Sequence, residues 1–113
     1  MRNIAEHLVF KAMSEPPRLR ILTLLTQREL CVCDLTAVLE LPQSTISRHL
    51  ARLKSVGLVL DRRQGLWVHY RLTINGLPIS GSVNSILHDL RQQKPYSDDL
   101  ELLTSHFKNK KPC

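Results

Sequence analysis

Ile46, Leu50, Leu53 and Gly57 recur at i, i+4, i+7 and i+11, which places them on one stripe of a helix, while Ser44, Thr45, Ser47 and Arg48 fall on its other sides. Pro42 suits a helix start and Gly57 a helix end, so the pattern predicts a helix from Gln43 to Val56 with one packed face and one free face. After the apolar run Leu58 to Leu60 the period changes to two. Leu66, Val68, Tyr70 and Leu72 alternate with Trp67, His69 and Arg71, and Gly65 suits the tip of a hairpin.

Upstream, Ile4, Leu8 and Ala12 follow an Asn3 to Glu6 capping box and predict a helix over about residues 4 to 13. Pro16-Pro17 restarts the chain, and Leu19, Leu22 and Leu25 carry a broadly apolar helix to about Thr26. Gln27 to Leu30 reads as a connection. Leu35, Val38 and Leu39 mark a short helix that ends near Leu41-Pro42, leaving the tight turn a helix-turn-helix requires. Two Gly, one Pro and one Asn make 73 to 82 a loop. Val83, Ile86, Leu87 and Leu90 form another helical stripe, and after Pro95 a last helix is expected with Ser97 as cap and Leu100, Leu103 and Phe107 inward. The expected fold is mainly α with a small β-hairpin, a winged helix-turn-helix. Residues 1–107 would form a DNA-binding and dimerisation domain and 108–113 a flexible C-terminal tail. A chain of 113 residues is one domain with a small core, and pairing two subunits is the simplest way to bury both C-terminal stripes.

Charge sharpens this picture. Lys and Arg outnumber Asp and Glu sixteen to ten, and residues 42 to 72 alone net +5 of the chain's +6. A polar, hydroxyl-rich helix N-terminus fits the major groove and a basic hairpin beside it reaches phosphates. A solvated charged helix is the alternative, but helix polarity, hairpin charge and the preceding helix agree on double-stranded DNA. The candidate contacts are Gln43, Ser44, Thr45, Ser47, Arg48, His49 and Arg52 on the helix, with Arg62 and Arg63 on the wing. His49 lies on the helix flank, where packing is an equal possibility, and Trp67 is expected to cover the hairpin rather than stack on a base. No apolar run approaches the roughly 20 residues of a membrane span, and no signal-like segment leads the chain, so a cytoplasmic protein without a membrane partner is expected. Neither GxGxxG nor GxxxxGK occurs, which argues against nucleotide binding.

Cys31 and Cys33 are too close for an ordinary structural disulfide. On an ideal helix i and i+2 lie about 200° apart, so both sulfurs face one ion only if the backbone there is non-helical or distorts, and such a distortion would act as a switch on the positioning helix. By spacing alone, two buried small hydrophobes are as good a reading. A closed zinc site needs four ligands, and no nearby His or Cys completes it, so soft ions of low coordination number fit better. His7, His49, His69, His88 and His106 read as solvated or packing side chains. Acidic Glu29 and Asp34 flank the thiols and oppose the activation a redox catalyst needs. No catalytic residue is assigned, and a thiol-based redox or arsenate-reducing enzyme is the runner-up class.

The segments ELCVCDL (29–35), STISRHLARLKSVGLV (44–59) and DRRQGLWVHYRL (61–72) together resemble the ArsR/SmtB family of metal-sensing winged-helix repressors, and the resemblance covers residues 5 to 72. It implies a homodimer on an inverted-repeat operator, with half-site centres about 10 bp apart or a multiple of that. It also implies release when arsenite or antimonite binds Cys31 and Cys33, with no permanent cofactor. A zinc- or cadmium-responsive repressor of the same fold is the alternative, although the histidines do not match the DxH…HxxE pattern of the family's zinc sensors. Arsenic-sensing members read CVCDLC and bind the ion through three thiolates. This chain has Thr36 in the third place, which leaves that position to Cys113, a solution thiol, or a non-exchanging organic group on the arsenic.

Overall fold

The stripe that predicts the central helix is the face that packs. In the computed structural model, which describes residues 6–109, helix α4 (Gln43–Ser55) buries Ile46, His49, Leu50 and Leu53. It ends where glycine is needed. Gly57 has φ 81°, its N–H donates to the Lys54 carbonyl at 3.0 Å, and the Leu58 N–H donates to the Leu53 carbonyl at 3.1 Å, the paired closure that only a left-handed residue permits without strain. Ahead of it, helix α3 (Val32–Leu39) ends on Glu40 at φ 55° and ψ 41°, so the helix-turn-helix corner relies on a non-glycine residue in the left-handed region.

The wing is a two-stranded ribbon, β2 (Val59–Gln64) and β3 (Trp67–Leu72), in register from Val59 opposite Leu72 to Gln64 opposite Trp67. Gly65 at φ 63° is the first of two turn residues and Leu66 has no positive φ, the combination of a type II′ hairpin turn. Leu66 is therefore a turn residue, 90% exposed, rather than the first of the inward strand positions. A third strand, β1 (Leu30–Cys31), pairs with β3 and sets the order β1-β3-β2. Sequence reads this stretch as a connection because two residues carry no periodicity.

Helix α1 (Glu6–Met13) packs on α2 (Pro16–Leu25) through Val9, Ala12 and Met13. Its inward face is thus turned by one residue from the expected Ile4, Leu8, Ala12 stripe, and Leu8 and Phe10 are each 43% exposed. The 73–82 segment is more ordered than a loop: a 3-10 turn at Ile74–Gly76 buries Ile74, and α5 (Ser80–Leu90) already begins at Ser80. Helix α6 (Tyr96–Lys108) has Pro95 at its N-cap, with Ser97 inside its first turn. Val83, Leu87 and Leu103 from these helices are buried within this chain's own core. Partner burial is consequently not needed for the whole of both stripes; the large apolar side chains exposed on α1, α5 and α6 are Leu8, Phe10, Ile86 and Leu102, and Leu60, Leu66 and Trp67 are exposed on the wing.

Asp99, in the first turn of α6, is 2% exposed and takes both arms of Arg20 at 2.8 Å, fastening α6 to α2. Helix α6 continues through Lys108, so a boundary between 107 and 108 cuts its last turn. The Asn3 and Ile4 positions of the first helix, the tail from 110 onward and Cys113 lie outside the described residues. No described helix is long and apolar enough to cross a membrane.

Candidate nucleic-acid interface and metal centre

Helix α4 presents Gln43, Ser44, Ser47, Arg48 and Arg52 to solvent, with Thr45 half-buried, so its first turn and a half offers amide, hydroxyl and guanidinium groups at a groove-sized helix end. His49 is the member of the predicted set that the fold withdraws. It is 6% exposed because it shares the packed stripe with Ile46, Leu50 and Leu53, and its Nδ1 accepts the Arg18 Nε–H at 3.2 Å. Burial and then the Arg18 charge push its pKa below the ordinary histidine value. The ring is thus packed against α2, while the other α4 candidates face solvent or are half-buried.

The wing's two arginines differ. Arg62 donates from Nε to Glu29 Oε1 at 2.8 Å and from Nη1 to Gln64 Oε1 at 2.8 Å, and its Nη2 also rests on Glu29. Arg63 is exposed and has no salt bridge among the described residues. Lys54 pairs with Asp61 at 2.9 Å and so ties the end of α4 to the wing. Trp67 is 43% exposed at the base of the turn.

The two box cysteines meet because their backbone is not one helix. Cys31 ends β1 in an extended conformation, φ −82° and ψ 163°, and is the N-cap of α3, while Cys33 lies in the first turn. Their sulfurs are 2.9 Å apart. The 200° separation of an ideal helix therefore does not apply, and bringing both sulfurs to one ion requires no unwinding of α3. At a metal–sulfur bond of about 2.3 Å, bonds at right angles place two sulfurs about 3.3 Å apart and tetrahedral bonds about 3.8 Å. The observed 2.9 Å is shorter than either, so an ion held by both sulfurs would move them apart by a few tenths of an ångström or more.

Asp34 organises this corner. One carboxylate oxygen accepts the Cys31 N–H at 3.0 Å, and the Asp34 N–H donates to the Cys31 sulfur at 3.4 Å, a capping box built on cysteine. The other oxygen lies 2.8 Å from His106 Nε2 on α6. One oxygen of Asp34 and the two sulfurs fall within 4.8 Å of one another. Burial is the main cause that pushes the Cys31 thiol pKa up, and the Asp34 N–H acts in the opposite direction. The acid three residues after Cys31 is a capping signal legible in the sequence. The His106 contact, 72 residues away, leaves no local trace. His106 also stands edge-on to Phe107, whose ring carries the Arg28 guanidinium 3.8 Å from its centroid.

Cys31 also faces the wing: β1 pairs with β3 with Leu30 opposite Tyr70 and Cys31 opposite His69. The box thus touches the wing through β1, the reading helix through α3 and the C-terminal helix through His106. Thr36, the position where a third thiol is expected, donates its hydroxyl to the Val32 carbonyl at 2.7 Å within α3. Beside Cys33 and Thr36 opens a cavity of about 380 Å³ that extends to Gln43 at the start of α4 and to Trp67 on the wing.

Residues 15–60 match the bacterial regulatory protein, arsR family. The chain is 54% identical over 66 residues to the arsenical resistance operon repressor of Escherichia coli (strain K12), a match covering 58% of this chain and 56% of the relative. The chain spans about half the length of the first curated relatives it matches. Among solved structures, HlyU from Vibrio cholerae N16961 superposes with TM-score 0.66 at 38% identity, over 76% of this chain and 90% of that one. The homodimeric winged helix-turn-helix DNA-binding domain Mb0332 from Mycobacterium bovis superposes with TM-score 0.63 at 31% identity, over 78% and 83%. With a winged helix-turn-helix in which Cys31 caps the positioning helix and Cys33 lies in its first turn, and with these matches, the chain belongs to the arsR family of bacterial regulatory proteins.

Proposed function

We propose that this chain is a transcriptional repressor that binds operator DNA as a homodimer and leaves it when a trivalent arsenic or antimony species is captured by Cys31 and Cys33. The observation that carries the reading is the 2.9 Å approach of the two sulfurs at the joint of β1 and α3. Likeness to an arsenical resistance repressor and to a homodimeric winged helix domain supports it. Leu8, Phe10, Ile86 and Leu102 supply exposed apolar area for a second copy, and two short reading helices recognise an inverted repeat where one contacts too few bases. The expected work is done in the cytoplasm, where DNA and reduced thiols coexist.

An inducer shifts a two-state equilibrium only if it binds the DNA-free conformation better. Capture by both sulfurs takes the Cys31 sulfur away from the Asp34 N–H and fixes the angle between β1 and the first turn of α3. That angle is shared by the wing strand paired to β1 and by the reading helix that follows α3 through the Glu40 corner, so one local bond pair changes the relative placement of both DNA-contacting elements.

The test is an electrophoretic shift on the duplex upstream of the chain's own reading frame, repeated with arsenite, antimonite, zinc and cadmium. Cys31→Ser and Cys33→Ser are each expected to bind the operator as the parent does and to remain bound in arsenite. Release of Cys31→Ser at the parent's arsenite concentration would make the box structural. Release by zinc or cadmium alone would replace the inducer.

A further inference from the structure

We propose that Arg18 is a positioning residue for operator recognition: its guanidinium clamps the reading helix α4 to the joint of α1 and α2 through the Nδ1 lone pair of His49, and a proton taken up by His49 opens the clamp. This rests on the reading of α4 as the helix that enters the groove. Each nitrogen of Arg18 is engaged, and the three partners stand on three different parts of the fold. Nη1 donates to the Ala12 carbonyl in the last turn of α1 at 3.1 Å, Nη2 pairs with Glu15 in the α1–α2 turn at 3.3 Å, and Nε donates to His49 on α4 at 3.2 Å. The Arg18 side chain is 13% exposed, so water is a poor substitute for these partners.

A guanidinium has no lone pair to offer, so the Arg18 contact requires an unprotonated Nδ1, and the neutral ring then carries its hydrogen on Nε2. A proton on Nδ1 removes the acceptor and places a second positive charge against Arg18, leaving the Glu15 carboxylate, 3.8 Å from Nδ1, as the ring's partner. The charged groups that bear on the ring are Arg18 of α2, Glu15 of the α1–α2 turn and Arg48 of α4 itself; none from α1, α3 or β2, the other elements packed on α4, is among them. Burial, and after it the Arg18 charge, holds the ring's pKa below the ordinary histidine value against the pull of Glu15. A ring that resists protonation in the clamp accepts it more readily once the clamp is open, so the open form gains population as pH falls below about 6.5.

The consequence falls on base reading. The clamp joins the helix that exposes Leu8 and Phe10 to the helix that exposes Ser47 and Arg48, so it fixes the angle at which a dimer presents its two reading helices. Contacts to base edges depend on that angle, whereas phosphate contacts carry no sequence information and tolerate its change. The added charge on His49 favours any duplex. Opening the clamp therefore lowers discrimination rather than overall affinity.

Fluorescence anisotropy at constant ionic strength compares the duplex upstream of the chain's own reading frame with a random duplex of equal length, at about pH 7.5 and about pH 5.5, on either side of the ordinary histidine value. The parent's preference for the upstream duplex should fall on the order of tenfold between them, while binding to the random duplex holds or rises. Arg18→Lys keeps the charge but not the fork that serves three partners at once, so it should show the weaker preference already at about pH 7.5. His49→Asn places an amide oxygen where Nδ1 stands and does not titrate, so it should remove the pH dependence of the preference, whatever its level. The imidazole nitrogen NMR shifts of the free parent at about pH 7.5 should show His49 protonated on Nε2 and bare on Nδ1. The opposite tautomer, a parent preference flat with pH, a parallel loss of both duplexes in acid, a fall that survives in His49→Asn, or an Arg18→Lys preference equal to the parent's overturns the clamp. Such a failure leaves operator binding standing, whereas a parent that binds the upstream and random duplexes alike at about pH 7.5 refutes the reading of α4 on which the clamp rests.

Discussion

Arg62 and Arg63 are neighbours on the wing, yet the structure predicts unequal roles. A phosphate approaching Arg62 has to displace the Glu29 carboxylate and the Gln64 amide from its guanidinium, whereas Arg63 has no salt bridge to give up among the described residues. Arg62 in turn holds the Glu29 carboxyl below its usual range, so that competitor is fully charged at neutral pH. Each phosphate neutralised on duplex DNA steepens the salt dependence of binding by about 0.9 in log–log slope, which between 50 and 200 mM salt is a factor of about 3.5 in affinity. Arg63→Ala should flatten the slope by about 0.9 per subunit, or about 1.8 for a dimer engaging both wings. Arg62→Ala should flatten it by less than half as much, because much of its charge is already met within the protein. Glu29→Gln should steepen the parent slope and have no such effect when combined with Arg62→Ala. The assay is fluorescence anisotropy with a labelled inverted-repeat duplex and a random duplex of equal length. Equal flattening by the two arginine variants, together with an inert Glu29→Gln, would show that the Glu29 pair does not compete with DNA and would refute the reasoning.

Asp99→Ala leaves Arg20 without its bidentate partner at a buried joint. With Arg20 keeping part of its hydration, the cost should be about 3 kcal/mol, read as a fall of roughly 10 °C in thermal midpoint; a fall under about 3 °C would mean that the pair does not hold α6 to α2. The two left-handed corners should respond in opposite directions in urea melts: Gly57→Ala should lose about 1 kcal/mol, and Glu40→Gly should gain up to about 1 kcal/mol by removing a Cβ penalty. No change in either would remove the argument from backbone strain. His49 has a folded pKa depressed below its unfolded value, so the unfolded chain takes up a proton first as pH falls. Its contribution is complete above about pH 6.5 and is lost as pH falls through the folded pKa. The thermal midpoint should therefore drop on acidification below about 6.5, and less steeply in His49→Gln; an unaltered slope would place the titrating group elsewhere.

The helix-turn-helix and its wing were legible in the chain because each rests on a local periodicity. The Ile46, Leu50, Leu53 stripe, the alternation from Trp67 to Leu72 and the glycines at 57 and 65 state helix, strand and turn within a few residues of each other. The exposed polar face of α4 follows from that stripe alone, and the cysteine pair was visible as a pair. Only the folded chain decided what these parts touch. The two-residue strand β1 has too short a pattern to announce itself, and it makes the backbone at Cys31 extended, which brings the sulfurs together. His49 differs from Arg48 by one residue, a turn of 100° about the helix axis, and that rotation separates a packed ring from a solvent-facing guanidinium. Burial of Asp99 against Arg20, the reach of His106 to Asp34 and the claim of Glu29 on Arg62 join residues 79, 72 and 33 positions apart. Local propensity carries no information about such separations, because the energy that selects them comes from packing helices whose sequences are individually indifferent to one another.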